Sequence, residues 1–292
     1  MRSRLLKLLF AFAMLLGFAV PAAQAKLGVS VSPSRFRLSQ PPGETASGEV
    51  TVRNEGTYPM RITTEVTDMV TRKNDQGLWI RMEAPAGTTR HSCAGWIELF
   101  EGEEAVVPPG ASRTVKFVVS PPPTVDSGGY GAYLFILTGP DNLPAQDPNQ
   151  KPQVQFVTVP RFGISVIYEV QGTLRRSGEL LDLSIQPPTS TDPLKIRYGF
   201  RNSGNAEVVL TGNFHILNEE NTLLGKGGVG TLKTFPSEMG YTETVWDQSR
   251  LPPGRYTLLL TLELGPDAQE AIVRELAFSV PETSQPEKRP PR

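Results

Sequence analysis

The chain holds 292 residues, with 29 Lys and Arg against 30 Asp and Glu, a formal net charge of −1, and 38% hydrophobic residues. That balance excludes an electrostatic nucleic-acid binder, which needs a basic face or stripe, and the single cysteine, Cys93, excludes a disulfide framework within the chain. The length suits two domains of ordinary size, each able to bury its own core.

Arg2, Arg4 and Lys7 precede the apolar stretch Leu8–Val20 and then Ala23-Gln24-Ala25. This is the pattern of a secretory signal over residues 1–25, cleaved before Lys26. The stretch is shorter than the ~20 residues that span a bilayer, and no Cys follows it to carry a lipid. The expectation is a soluble exported protein of the periplasm or the outer face of the cell envelope.

Leu27–Pro33 reads as a first strand that Arg35–Leu38 continues; the intervening Pro suits an edge or a change of sheet, because it cannot donate to a ladder. Strands are expected over Gly48–Arg53 and Met60–Val70, the second alternating Ile62, Thr64 and Val66 against Arg61, Thr63 and Glu65. A turn at Asn74–Gly77 leads to extended chain at Leu78–Ile80, residues 84 to 92 read as irregular, and Trp96–Phe100, Glu104–Val107 and Arg113–Ser120 follow as strands. Ser127-Gly128-Gly129 turns into the aromatic strand Tyr130–Leu137. Thr138–Pro152 reads as a long loop, and Gln153–Val170 as a β run broken by Pro160 and Gly163.

The first domain is thus expected over 26–170. After a hinge at Gln171-Gly172, a second over 173–280 begins with Glu179–Ile185 and continues through Leu194–Arg201, Ala206–Leu217, Thr231–Thr234, Tyr241–Trp246, Tyr256–Leu264 and Ala271–Val280. The tail, 281–292, is rich in Pro, Glu and Lys and reads as disordered. No segment carries a sustained helical period with caps, so two antiparallel β-sandwiches in tandem are the simplest architecture. A repeat supports the division. Val50–Gly56, ending Asn54-Glu55-Gly56, and the turn Pro108-Pro109-Gly110 are matched by Ile196–Gly204, ending Asn202-Ser203-Gly204, and Pro252-Pro253-Gly254, at a spacing of about 148 residues.

Enzymatic chemistry finds little footing. Gly225–Thr231 looks like a phosphate loop, but Lys233 lies two positions beyond Thr231 instead of directly before a hydroxyl residue, and the run that follows is β-type, so a flexible hairpin loop is the reading. His91 and His215 lack partners at metal-ligand spacing, and Cys93 with His91 lacks a third member. Glu101, Glu103 and Glu104 read as a solvated edge, and the aromatic set Trp79, Trp96, Phe100, Tyr130, Tyr133 and Phe135 as core. No enzyme activity, cofactor or metal is expected. Pro and Gly breaks in the first strand and in Gln153–Val170 mark edges that either resist pairing or invite an added strand.

Val29–Arg35, Arg53-Asn54-Glu55-Gly56, Val107-Pro108-Pro109-Gly110 and Pro122 with Gly129–Leu134 together resemble, across about residues 28 to 170, the N-terminal immunoglobulin-like domain of periplasmic pilus-assembly chaperones. With Trp96-Ile97 they also resemble the peptidoglycan-binding domain of Gram-positive WxL-interacting surface proteins; the second domain, through Asn202–Asn205 and Leu251–Tyr256, looks like the partner sandwich of such proteins. The resemblance implies an all-β chain of two tandem immunoglobulin-like antiparallel β-sandwiches. It also implies a non-enzymatic module that binds subunits of a surface fibre or coat by strand addition or, alternatively, an envelope adaptor binding peptidoglycan or another surface protein. In the chaperones an Arg and a Lys grip a client's terminal carboxylate; Arg35 falls on the Arg position, Ser165 on the Lys position, and Arg161 lies four residues before it. Phe156, Thr158 and Phe162 fall where alternating residues enter the client. Arg35, Phe156, Arg161 and Phe162 are therefore the expected client-binding residues, with Arg35 exposed and of little weight in the chain's own stability.

Overall fold

The computed structural model describes residues 28–75, 79–100, 104–141, 159–189, 192–247, 251–266, 268 and 271–282. The signal, Glu101 and Glu103, most of the Thr138–Pro152 loop, Phe156, Thr158 and nearly all of the tail lie outside them. The described chain is built of strands, with a single three-residue 3-10 turn at Ala94–Trp96.

Two sheets form the first sandwich. In one, β1 (Val29–Ser32), β3 (Ala46–Asn54), β8 (Ser112–Val119) and β6 (Ile97–Leu99) lie in that spatial order. In the other the order is β2 (Arg35–Gln40), β10 (Arg161–Val170), β9 (Gly129–Pro140), β4 (Met60–Lys73) and β5 (Trp79–Ala84), with β7 (Glu104–Val107) also on β4. The sheets form because their strands alternate: β3 buries Ala46, Gly48, Val50, Val52 and Asn54 and exposes the residues between, as one buried and one wet face require. The core between them holds Val50, Val52, Ile62, Phe117, Leu134, Ile136, Val166 and Tyr168, with Trp96 packed on Tyr130 and Tyr168. Pro33 separates β1, which pairs with β3, from β2, which pairs in parallel with β10, so the chain changes sheets there. Strand β9 runs on to Pro140, so Thr138–Pro140 belong to the sheet and not to the expected loop.

The second sandwich sets β11 (Gly178–Gln186), β12 (Leu194–Asn202) and β16 (Met239–Trp246) against β14 (Leu223–Gly228), β13 (Val208–Asn218), β17 (Gly254–Glu263) and β18 (Ile272–Val280), with β15 (Leu232–Thr234) on β13. Gly225–Gly228, expected as a flexible loop, are part of edge strand β14. A Cβ on Gly225 would stand 2.6 Å from the Trp246 ring and one on Gly227 2.8 Å from the Phe214 ring. The glycines are there because rings lie over them.

The repeated Asn-x-Gly is one structural device used twice. Asn54 is buried, its Nδ2 donates to the carbonyls of Tyr58 (2.7 Å) and Val107 (2.9 Å), and its Oδ1 accepts from Gly56 N–H (2.9 Å). Asn202 makes the same set with Ala206 (2.9 Å), Thr234 (3.0 Å) and Gly204 (2.9 Å). The turn partner in the second copy, however, is not Pro252-Pro253-Gly254. Asn54 exchanges backbone bonds with Gly110 and Ala111, and Asn202 exchanges the corresponding bonds with Ser237 and Glu238. Ser237 (φ 66°) holds the left-handed conformation that Gly110 (φ 71°) holds in the first copy. Pro252–Tyr256 matches Asp126–Tyr130: in each, the tyrosine hydroxyl donates to the carbonyl four residues upstream, at 2.6 Å and 3.0 Å, the corner known from immunoglobulin-like sandwiches.

Candidate functional site

The site expected at the edge of the first sandwich combines a stretch of backbone, which no described strand pairs on one side, with a charged junction to the second sandwich. Strand β10 pairs with β9 along Arg161–Glu169, but β2 joins its other side only from Ser165, opposite Arg35. Among the described residues, nothing pairs with Arg161–Ile164 on that side. Ser165 N–H donates to Ser34 (3.0 Å) and Gln171 N–H to Gln40 (2.8 Å), so odd-numbered residues point toward β2. By the alternation of a strand, Arg161 and Gly163 turn their N–H and C=O groups to the open side.

Arg161 and Phe162 fall on opposite faces. Phe162 is half-buried against the first core, on the side of Ile164 and Val166. Arg161 lies on the outer face, 3.6 Å over the Phe135 ring, and pairs with Glu65 (2.7 Å) and with Glu83. Gly163 leaves room for Phe135, since a Cβ there would stand 2.9 Å from its ring. Tyr133 and Phe135, expected in the core, are half-buried on this outer face, and Phe100 is exposed.

Arg35 opens β2, where the pairing of β2 with β10 begins. Its guanidinium does not project freely into solvent: Nη2 lies 2.5 Å from Oε2 of Glu207, a fully buried carboxylate of the second sandwich. Arg37 reaches the same oxygen at 2.9 Å and Arg81 the other oxygen at 2.6 Å. Glu169 accepts from Arg37 and from Arg176, whose Nε also bonds the Glu207 carbonyl at 3.1 Å. Glu238 joins the sandwiches through backbone, accepting from Thr71 N–H (2.8 Å) and Phe235 N–H (2.7 Å). Phe235 inserts between them, packed on Met69 and Ile167, with the Arg81 guanidinium 4.6 Å over its ring. Trp79 meets Tyr241 at 5.9 Å.

The expectation that Arg35 contributes little to stability is therefore corrected: it helps neutralise a carboxylate from which water is excluded, where loss of a partner is costly. Sequence patterning missed Glu207, Arg37 and Arg81, because cross-domain charge pairs leave no local period.

Burial pushes the Cys93 thiol up to about 12. Burial, and then the Arg90 charge, lower His91. Burial and the neighbouring Arg35 lower Lys233 at the junction. Among the described residues no group of three or more His, Cys, Asp or Glu side chains is placed to hold a metal ion.

No family model matches the sequence, and no curated relative matches it. Solved structures to which the chain is similar include the E. coli chaperone DraB, at 14% identity, covering 86% of this chain and 98% of that one with a TM-score of 0.42. Another is the CsuC–CsuE chaperone–tip adhesion subunit pre-assembly complex of Acinetobacter baumannii, at 11% identity, 85% and 97% coverage and a TM-score of 0.42. A third is the SafB chaperone with the SafA pilin of Salmonella enterica, at 9% identity, 87% and 97% coverage and a TM-score of 0.41.

Proposed function

We propose that this chain is an exported, non-enzymatic protein-binding module that holds subunits of a surface fibre or coat during assembly in the periplasm, by pairing an extended segment of the subunit with β10. The observation that carries this reading is the open side of Arg161–Ile164, where the backbone groups of Arg161 and Gly163 face no described strand. A subunit short of one strand exposes unpaired backbone and apolar surface, and an added strand satisfies both. Phe162 would support the pairing from the inner face and Arg161 from the outer. Arg35, where the β2–β10 pairing begins, would receive a terminal carboxylate only in exchange with Glu207.

The test compares Arg161→Pro with Arg161→Ala in periplasmic co-purification. Both lose the guanidinium, but only proline removes the open-side N–H. A one-to-one complex with a small β protein, recovered with Arg161→Ala and lost with Arg161→Pro, supports strand addition. Equal recovery from both moves binding off this edge and favours the envelope adaptor, which a peptidoglycan pull-down would then detect.

A further inference from the structure

Arg81 of β5 uses only one end of its guanidinium: Nη1 donates to Glu207, while Nε and Nη2 are buried and meet no acceptor among the described residues. The nearest carboxylate oxygen, Oε2 of Glu238, is 4.0 Å from Nη2, beyond hydrogen-bond reach, and both Glu238 oxygens are engaged by backbone N–H groups. Two further buried polar atoms without partners lie on the same face of β4 and β5. Thr71 stands directly opposite Arg81 in the β4–β5 register, Trp79 is two residues along β5 on the same face, and the Arg81 guanidinium lies over the Phe235 ring. Thr234 Oγ1 also lacks a partner, but Thr234 shares the face of Val208 and Leu232 toward the second core, so among the described residues the unpartnered donors at the junction are those of Thr71, Trp79 and Arg81.

Their chemistry is one-sided. Arg81 Nε and Nη2 and Trp79 Nε1 can only donate, and the Thr71 hydroxyl can donate as well. A water molecule offers two acceptor sites and brings two protons that themselves need acceptors. An oxyanion brings acceptors alone. The charges that meet here, Arg35, Arg37, Arg81, Arg176 and Lys233 against Glu169, Glu207 and Glu238, leave the junction positive. A buried guanidinium whose donors face no acceptor is costly, and a small anion removes that cost.

We propose that the donors of Thr71, Trp79 and Arg81 form a binding site for a small oxyanion, such as phosphate or a carboxylate ion, at the junction between the two sandwiches. Bound there, the anion ties β4 to β5 on the face against which Phe235 packs. The site is separate from the open edge of β10 and does not depend on strand addition.

The experiment follows thermal unfolding of the purified protein against phosphate, with acetate as a second oxyanion and sodium chloride at matched ionic strength as control. The expected result is a saturable rise of about 3 °C by about 10 mM phosphate beyond the chloride control. That excess is expected to vanish in the double variant Thr71→Val with Trp79→Phe, which removes neutral donors and leaves Glu207 its three arginines. Should the double variant not fold, Thr71→Val alone is expected to lower phosphate affinity several-fold by titration calorimetry. Acetate acting in place of phosphate supports a site for oxyanions in general. No rise beyond chloride, or an equal rise in wild type and variant, overturns the proposal and assigns these donors to water.

Discussion

Arg35 and Glu207, 172 positions apart, meet at 2.5 Å with the carboxylate wholly buried. Arg35→Ala leaves Arg37 and Arg81 on that carboxylate, so the expected loss is about 1 to 3 kcal/mol, below the 3 to 5 typical of stranding a buried charge. Glu207→Gln takes the carboxylate from Arg35 and Arg81, leaving Arg37 its pair with Glu169, and is expected to cost more. Urea denaturation of both variants measures this, and an Arg35→Ala change within about 0.5 kcal/mol would mean the pair is solvent-screened. Client recovery separates the roles of Arg35, since Glu207→Gln frees it and is expected to maintain or increase binding if a client's carboxylate competes for it.

Gly131→Ala tests the junction without touching a charge. A Cβ at this position on β9 would lie 2.2 Å from Cζ of Phe235, across the boundary between the sandwiches. Overpacking of this kind costs about 1 to 3 kcal/mol, and here the ring is expected to withdraw, so that small-angle scattering reports a larger radius of gyration. Phe235→Leu in the same chain is expected to restore compactness. If Gly131→Ala scatters like wild type, the contact does not hold the sandwiches together.

Asn54→Ala and Asn202→Ala are expected to destabilise their sandwiches by similar amounts, about 2 to 3 kcal/mol each, since each leaves two carbonyls without their donor. Asp at either position is expected to do no better, because it would aim a carboxylate at those carbonyls. Denaturant midpoints decide the matter; a loss in only one sandwich would end the claim that the device is equivalent in both.

These residues also show how far patterning reaches. Asn54-Glu55-Gly56 and Asn202-Ser203-Gly204 are visible as a repeat because one side chain must satisfy the same three backbone groups in each sandwich. The matching of Pro108-Pro109-Gly110 with Pro252-Pro253-Gly254 fails because the second sandwich fills the left-handed turn position with Ser237, which carries no glycine signal. Strand identities follow from alternation, and the change of sheet at Pro33 from its missing donor. The β14 edge strand was hidden because its glycines answer to rings of Trp246 and Phe214 distant in sequence. The position of Arg35 was legible, but its partner was not: an ion pair spanning 172 positions is set by how two sandwiches dock.

Cys93 is expected to be inert in the folded protein. It is fully buried, its Sγ lies 3.8 Å from the Val166 carbonyl oxygen, and burial raises its pKa from 9.0 to about 12. Reaction with a disulfide reagent requires both thiolate and access, so at about pH 8 labelling is expected to follow the rate of unfolding. The same shift sets a sign for stability. The unfolded thiol loses its proton near 9.0 and the folded thiol near about 12, so between these values the unfolded state binds fewer protons and Cys93 makes stability fall as pH rises. Cys93→Ala is expected to remove that component of the alkaline slope while creating a small cavity. Rapid stoichiometric labelling of the native protein would contradict the burial of Cys93 and make intermolecular pairing through it a mode of association.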